Sequence, residues 1–84
     1  GVPMRVNHER RLLNKAAEAR DYQISIRQKA DASWPSDHSR LTALESTGHL
    51  QRIDLHDGPD GSVAVWQITA AGLSQLQALT SGAE

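Results

Sequence analysis

The chain has no cysteine, no phenylalanine and, beyond Arg52, not one basic residue. Without cysteine, disulfides, thiolate metal sites and a cysteine nucleophile are excluded. No apolar run approaches the roughly 18 residues that a membrane span needs, and no signal-peptide pattern is present. Aromatic residues are scarce, with two Trp and one Tyr in 84 residues. A chain of this length predicts one domain with a small core, burying roughly 60% of the unfolded surface. Little volume is left for an enclosed substrate cavity. The expectation is a soluble, cytoplasmic protein. Gly1-Val2-Pro3 ahead of Met4 reads as a cloning remnant or disordered segment, 4–80 as one domain and 81–84 as a flexible tail.

What is present is distributed unevenly. The first 52 residues carry nine bases against six acids, a balance of +3, and the last 32 carry four acids alone, −4. Such a split can mark a surface for a polyanion, or it can reflect solvated helix faces with intrahelical ion pairs.

Hydrophobic spacing then divides the chain. Leu12, Leu13, Ala16 and Ala17 form one stripe and predict a helix over 8–20, with Asn7 as its N-cap. Ser25 is expected to cap a second short helix, Ile26 to Ala32. Ser33-Trp34-Pro35-Ser36-Asp37 is a helix start signal, with Asp37 read as a capping residue. The third helix is expected over 36–47, carrying Leu41 and Leu44 and closed by Gly48 in a left-handed conformation. From Leu50 the period becomes two. Leu50, Ile53 and Leu55 predict a strand, residues 56–61 a turn, and Val63 to Ile68 a second strand. Thr69 is expected to cap a last helix with Leu73, Leu76 and Leu79 inward, and Gly72 to mark a close approach.

Three runs within this order resemble a known family: Ser33-x-Pro35-Ser36, then Leu41-x-x-Leu44-Glu45-x-x-Gly48-x-Leu50-x-Arg52, then Trp66-x-Ile68-Thr69-x-x-Gly72-x-x-x-Leu76. They are similar to the winged-helix domains of MarR- and PadR-type bacterial regulators over roughly residues 23–80. The resemblance implies an α+β fold, a small winged helix of order α-α-α-β-β-α with a two-stranded wing hairpin. It further implies a DNA-binding transcriptional regulator of a bacterium or phage, whose third helix enters the major groove. The matching positions are Ser36, His38, Ser39, Arg40, Thr42 and Ala43. Arg40 would take a guanine or a phosphate, and Arg27, Lys29 and Arg52 would hold the backbone. The partner implied is double-stranded DNA, with no cofactor; apart from the resemblance, helix 8–20 is the expected surface for a second copy if the chain is not a monomer. Two departures from the family pattern stand out: Arg40 is alone among Ser39, Thr42 and Ala43, and the wing tip carries Asp57 and Asp60. They open the other reading, a protein-docking module using the acidic wing.

Catalytic and metal chemistry finds little support. His8, His38, His49 and His56 show no paired-ligand spacing. Residues 54–61 lack the alternating acids and closing glutamate of a calcium loop. Neither a nucleophile elbow nor a phosphate-binding glycine loop occurs. The sequence reads as that of a non-enzyme.

Overall fold

The computed structural model describes residues 2–81, with side chains from Asn7 onward. Gly1 and residues 82–84 of the expected 81–84 tail lie outside the described residues, whereas Ser81 is the last residue of a helix. The order is α1 (Val2–Glu18), β1 (Gln23–Lys29), α2 (Asp37–Ser46), β2 (Leu50–Gly58), β3 (Gly61–Ile68) and α3 (Ala70–Ser81). This corrects the expected α-α-α-β-β-α order. The element after α1 is a strand, and the sheet has three antiparallel strands in the order β1-β3-β2 rather than a lone two-stranded wing.

The expected helix at 26–32 gives way to β1 for a reason visible in its alternation. Ile24 and Ile26 stand opposite Trp66 and Ala64, while Ser25 and Arg27 point the other way. A period of two with β-branched residues buries one face of a strand, and the same residues on a helix would leave Ile24 and Ile26 about 200° apart. After Lys29 the backbone turns, with Asp31 in a left-handed conformation and Ala32 N–H bonded to the Lys29 carbonyl at 3.1 Å.

Each helix boundary has a local cause. Asn7 lies inside α1 rather than capping it, and its side chain accepts from Arg10 at 3.2 Å. α1 ends at Glu18, and Asp21 Oδ1 accepts the Gln23 N–H at 3.2 Å as the chain turns into β1. α2 ends as expected: Gly48, at φ 86, donates to the Glu45 carbonyl and His49 donates to that of Leu44, both at 3.0 Å. These are the two bonds of a Schellman motif, and only glycine takes that conformation without strain. At the start of α2 the N-cap position falls on Ser36, not on the expected Asp37, and Ser36 makes no side-chain cap bond. α3 is capped as expected, Thr69 Oγ1 accepting from Gly72 N–H at 3.0 Å and donating to the Gly48 carbonyl at 2.7 Å.

The core is one cluster of Leu12, Leu13, Ala16, Ile24, Leu41, Leu44, Leu50, Ala64, Trp66 and Ile68. Trp66 is fully enclosed, and its indole N–H donates to Glu45 Oε1 of α2 at 2.9 Å. Leu76 and Leu79 of α3 pack on this cluster, whereas Leu73 is 42% exposed and not inward as expected. All three helices therefore lie on one side of the sheet. The hairpin turn is also tighter than expected: Gly58 pairs with Gly61, leaving only Pro59 and Asp60 between the strands. A bulge at Ile53 shifts the register of β2 against β3 between Arg52 and Asp54.

Candidate nucleic-acid interface

With Leu41 and Leu44 in the core, α2 presents Ser36, Ser39, Thr42, Ala43 and Ser46 to solvent. Their spacing places them on one helix face. None of these exposed side chains is acidic, and all are short. Ser39 Oγ donates to the Ser36 carbonyl at 3.1 Å, Thr42 Oγ1 to His38 at 2.8 Å and Ser46 Oγ to Ala43 at 2.8 Å. A hydroxyl whose proton is used inward keeps its lone pairs free to accept from outside.

Two arginines flank this face from opposite sides. Arg40 lies on the α1 side, where Nη1 donates to Asp37 Oδ1 at 2.8 Å. Arg11 of α1 holds the same carboxylate bidentately, Nη2 to Oδ1 at 2.8 Å and Nη1 to Oδ2 at 3.1 Å. The Arg11 hydrogen bonds hold the Asp37 carboxyl below the usual carboxylate range; partial desolvation opposes this and Arg40 reinforces it. Asp37 is thus an interhelical anchor rather than the expected cap. Arg52 lies on the hairpin side. Its register partner is Trp66, so it stands on the helix-bearing face of the sheet, next to α2. Among the described residues it has no acidic partner.

The remaining sequence-predicted positions go elsewhere. His38 is half-buried, its ring stacked on Trp34 with centroids 4.3 Å apart and edge-on to Trp66 at 5.9 Å. It is turned away from the hydroxyl face, and one face of Trp34 is covered by it. Arg27 stands opposite Val63 and Lys29 opposite Gly61, on the sheet face that carries no helix. Pleating puts Arg27 and Arg52 on opposite sides of the sheet. The four cations expected to form one footprint are therefore divided: Arg40 and Arg52 beside α2, Arg27 and Lys29 behind the sheet.

Arg11 was not singled out from the sequence. Its partner lies 26 positions away in the chain, and no local pattern signals such a contact. The histidines are dispersed, His8 on Arg11, His49 beside Thr47 and 3.9 Å from Glu9, and His56 on the open sheet face. Among the described residues no three His, Asp or Glu side chains converge as metal ligands would. An open groove of about 410 Å³ between α1 and the end of α3 is lined by Asn7, Arg10, Arg11, Asn14 and Thr80. No carboxylate or histidine lines it to serve as a general base.

No family model matches the chain, and no curated protein or solved structure matches it significantly.

Proposed function

We propose that this protein binds double-stranded DNA, with α2 as the element that enters the major groove, and that it serves as a transcriptional regulator. The observation carrying this reading is the outward face of α2. It is a strip of short hydroxyl and methyl side chains, free of acids, with an arginine on either flank. Ten helical residues span about 15 Å, and the major groove is about 12 Å wide. Short side chains let the helix backbone come close to base edges, where hydroxyl oxygens accept from cytosine or adenine amino groups. Phosphates line both rims of the groove, which suits arginines on both flanks. The resemblance to winged-helix regulators adds support from residues 41–76, where Gly48, the hairpin, Trp66 and the Thr69 cap stand in sequence. The segment before α2 lends none, being a strand and a turn where a helix crossing the DNA backbone was implied.

The test is fluorescence anisotropy with a labelled duplex of mixed sequence at about 50 and 200 mM salt. Binding that weakens with salt and is lost in Ser39→Glu or Thr42→Glu supports the reading. No binding at low salt, or full binding by both glutamate variants, removes it.

A second reading, docking to a protein, is favoured by a different observation. Ile53 and Leu55 are 42% and 46% exposed on β2, an edge strand with no further strand beside it among the described residues, and Asp57 and Asp60 follow. Exposed apolar side chains beside a free strand edge suit strand addition by a basic peptide. DNA binding that is unaffected by Ile53→Lys, or absent from the parent, separates the two readings.

A further inference from the structure

The α2 site contains an apparent conflict: the one cation on the helix is already paired. The geometry points to Asp37 as an internal stand-in for phosphate that Arg40 leaves when DNA binds, with Arg11 as the residue that makes the exchange possible. This inference rests on the DNA-binding reading and concerns how the site is controlled.

Three features carry it. Asp37 Oδ1 receives both Arg11 Nη2 and Arg40 Nη1 at 2.8 Å, while Oδ2 receives Arg11 Nη1 at 3.1 Å. The two arginines are therefore not equivalent. Arg11 makes a fork with both oxygens, and Arg40 makes a single bond to an oxygen already satisfied. If Arg40 moves away, the carboxylate keeps a bidentate partner and is not left unpaired, which is the costly outcome for an acid partly withdrawn from water. If Arg11 were absent, Arg40 would be the sole partner and would be held back. Second, the Arg40 side chain is 37% exposed and its Nε and Nη2 have no hydrogen-bond partner among the described residues. A guanidinium in that state has donors ready for a second oxyanion. Third, Asp37 opens α2, where its charge is favourable toward the helix dipole yet stands close to where a phosphate would pass. The charged groups on Asp37 are Arg11 from α1 and Arg40 from its own helix, and the titratable His8 ring accepts from Arg11 on its far side. The exchange makes binding depend on a balance between one carboxylate and the DNA backbone, and so on salt.

A double-mutant cycle reads this directly. Asp37→Asn should raise affinity for the mixed-sequence duplex about five- to tenfold at low salt while leaving the log–log salt slope nearly unchanged, because Arg40 meets the same phosphate in both complexes. Arg11→Gln should lower affinity several-fold, because Arg40 is then retained. Both effects should disappear in the Arg40→Ala background. If the Asp37→Asn gain persists without Arg40, only overall charge is at work and the exchange is overturned. Equal affinities for parent and Asp37→Asn overturn it as well. Circular dichroism confirms folding, and either variant carries the cycle if the other does not fold. Failure of the parent to bind any duplex is a different result: it removes the functional reading, and the inference with it.

Discussion

One face of the sheet carries Ile24, Ile26, Ala64, Trp66 and Ile68, and the other carries Ser25, Arg27, Val63, Val65 and Gln67. They alternate along the same strands, yet the first is roofed by three helices and the second faces water. Antiparallel sheets commonly keep one solvated face, so the open side needs no partner to be stable. The difference bears on function as well as on packing. Arg27 and Lys29, close to Ser36 and Arg40 in sequence, are separated from α2 by the thickness of the sheet. Charge counted along a chain is not charge gathered on a surface.

The sharpest way to break this comparison is to remove Trp66, the residue that ties β3 to α2. Trp66→Ala should cost about 3–5 kcal/mol in urea unfolding, and it also leaves Glu45 without its indole partner. Val65→Ala, one position along but on the open face, should cost far less. Equal losses would mean that the helices do not pack where the register puts them.

Gly72→Ala sharpens the contrast because two principles give it opposite signs. In a helix interior alanine is favoured over glycine by ~1 kcal/mol. A Cβ at Gly72, however, would collide with the His49 backbone carbonyl oxygen and crowd Ile68. Helical backbone cannot easily give way, so a net loss of about 1–3 kcal/mol is expected from overpacking. A gain in thermal stability would show that α3 sits further from β2 than the structure has it.

The two helix starts on the roofed side come next. Thr69 caps α3 and bridges to Gly48, whereas Ser36 makes no side-chain cap bond. Thr69→Ala should therefore cost about 1 kcal/mol, and Ser36→Ala almost nothing. Similar midpoint shifts would mean that Ser36 caps α2 in solution.

How legible this was depended on how local the signal is. Gly48, the hairpin and the Thr69 cap were readable because each is set by a turn residue or a clean alternation within a few positions. β1 was missed although Gln23-Ile24-Ser25-Ile26-Arg27 alternates, because Ser25 also fits a helix cap and Ala30 and Ala32 favour helix. The Pro59-Asp60 turn was drawn too wide because glycine and aspartate at 56–61 suit both turn and strand end. For the candidate site, the α2 face was legible from the spacing of its buried leucines. The Arg11–Asp37–Arg40 trio was not, since it joins helices that are far apart in sequence. Nor was the division of the cations, which follows from β1 being a strand.

Acid should expose that trio. The folded-state pKa of Asp37 lies below its unfolded value, so its ion pairs stabilise above the ordinary carboxylate pKa and fade as pH falls through the lower one. Asp37→Asn should remove this part of the acid sensitivity, flattening the stability profile below about pH 4. The trio is partly exposed, which limits its worth to at most about 1 kcal/mol. An unchanged acid limb in Asp37→Asn would show that Asp37 is not held by the arginines in solution.

The smallest effect is expected on the open face, and it is the most informative for the proposed function. Arg27→Ser removes an exposed side chain with no ion pair among the described residues. Its stability should stay within about 0.5 kcal/mol of the parent. Its duplex affinity should also stay within about twofold, because a cation behind the sheet lies beyond the groove rims and is screened over a Debye length of about 10 Å at 0.1 M salt. Arg52→Ser, on the α2 side, should instead lose close to one unit of salt slope. If Arg27 proves the more important of the two, DNA would lie against the open face of the sheet and α2 would not be the reader. Paired titrations of Arg27→Ser and Arg52→Ser therefore decide which side of the sheet faces the duplex.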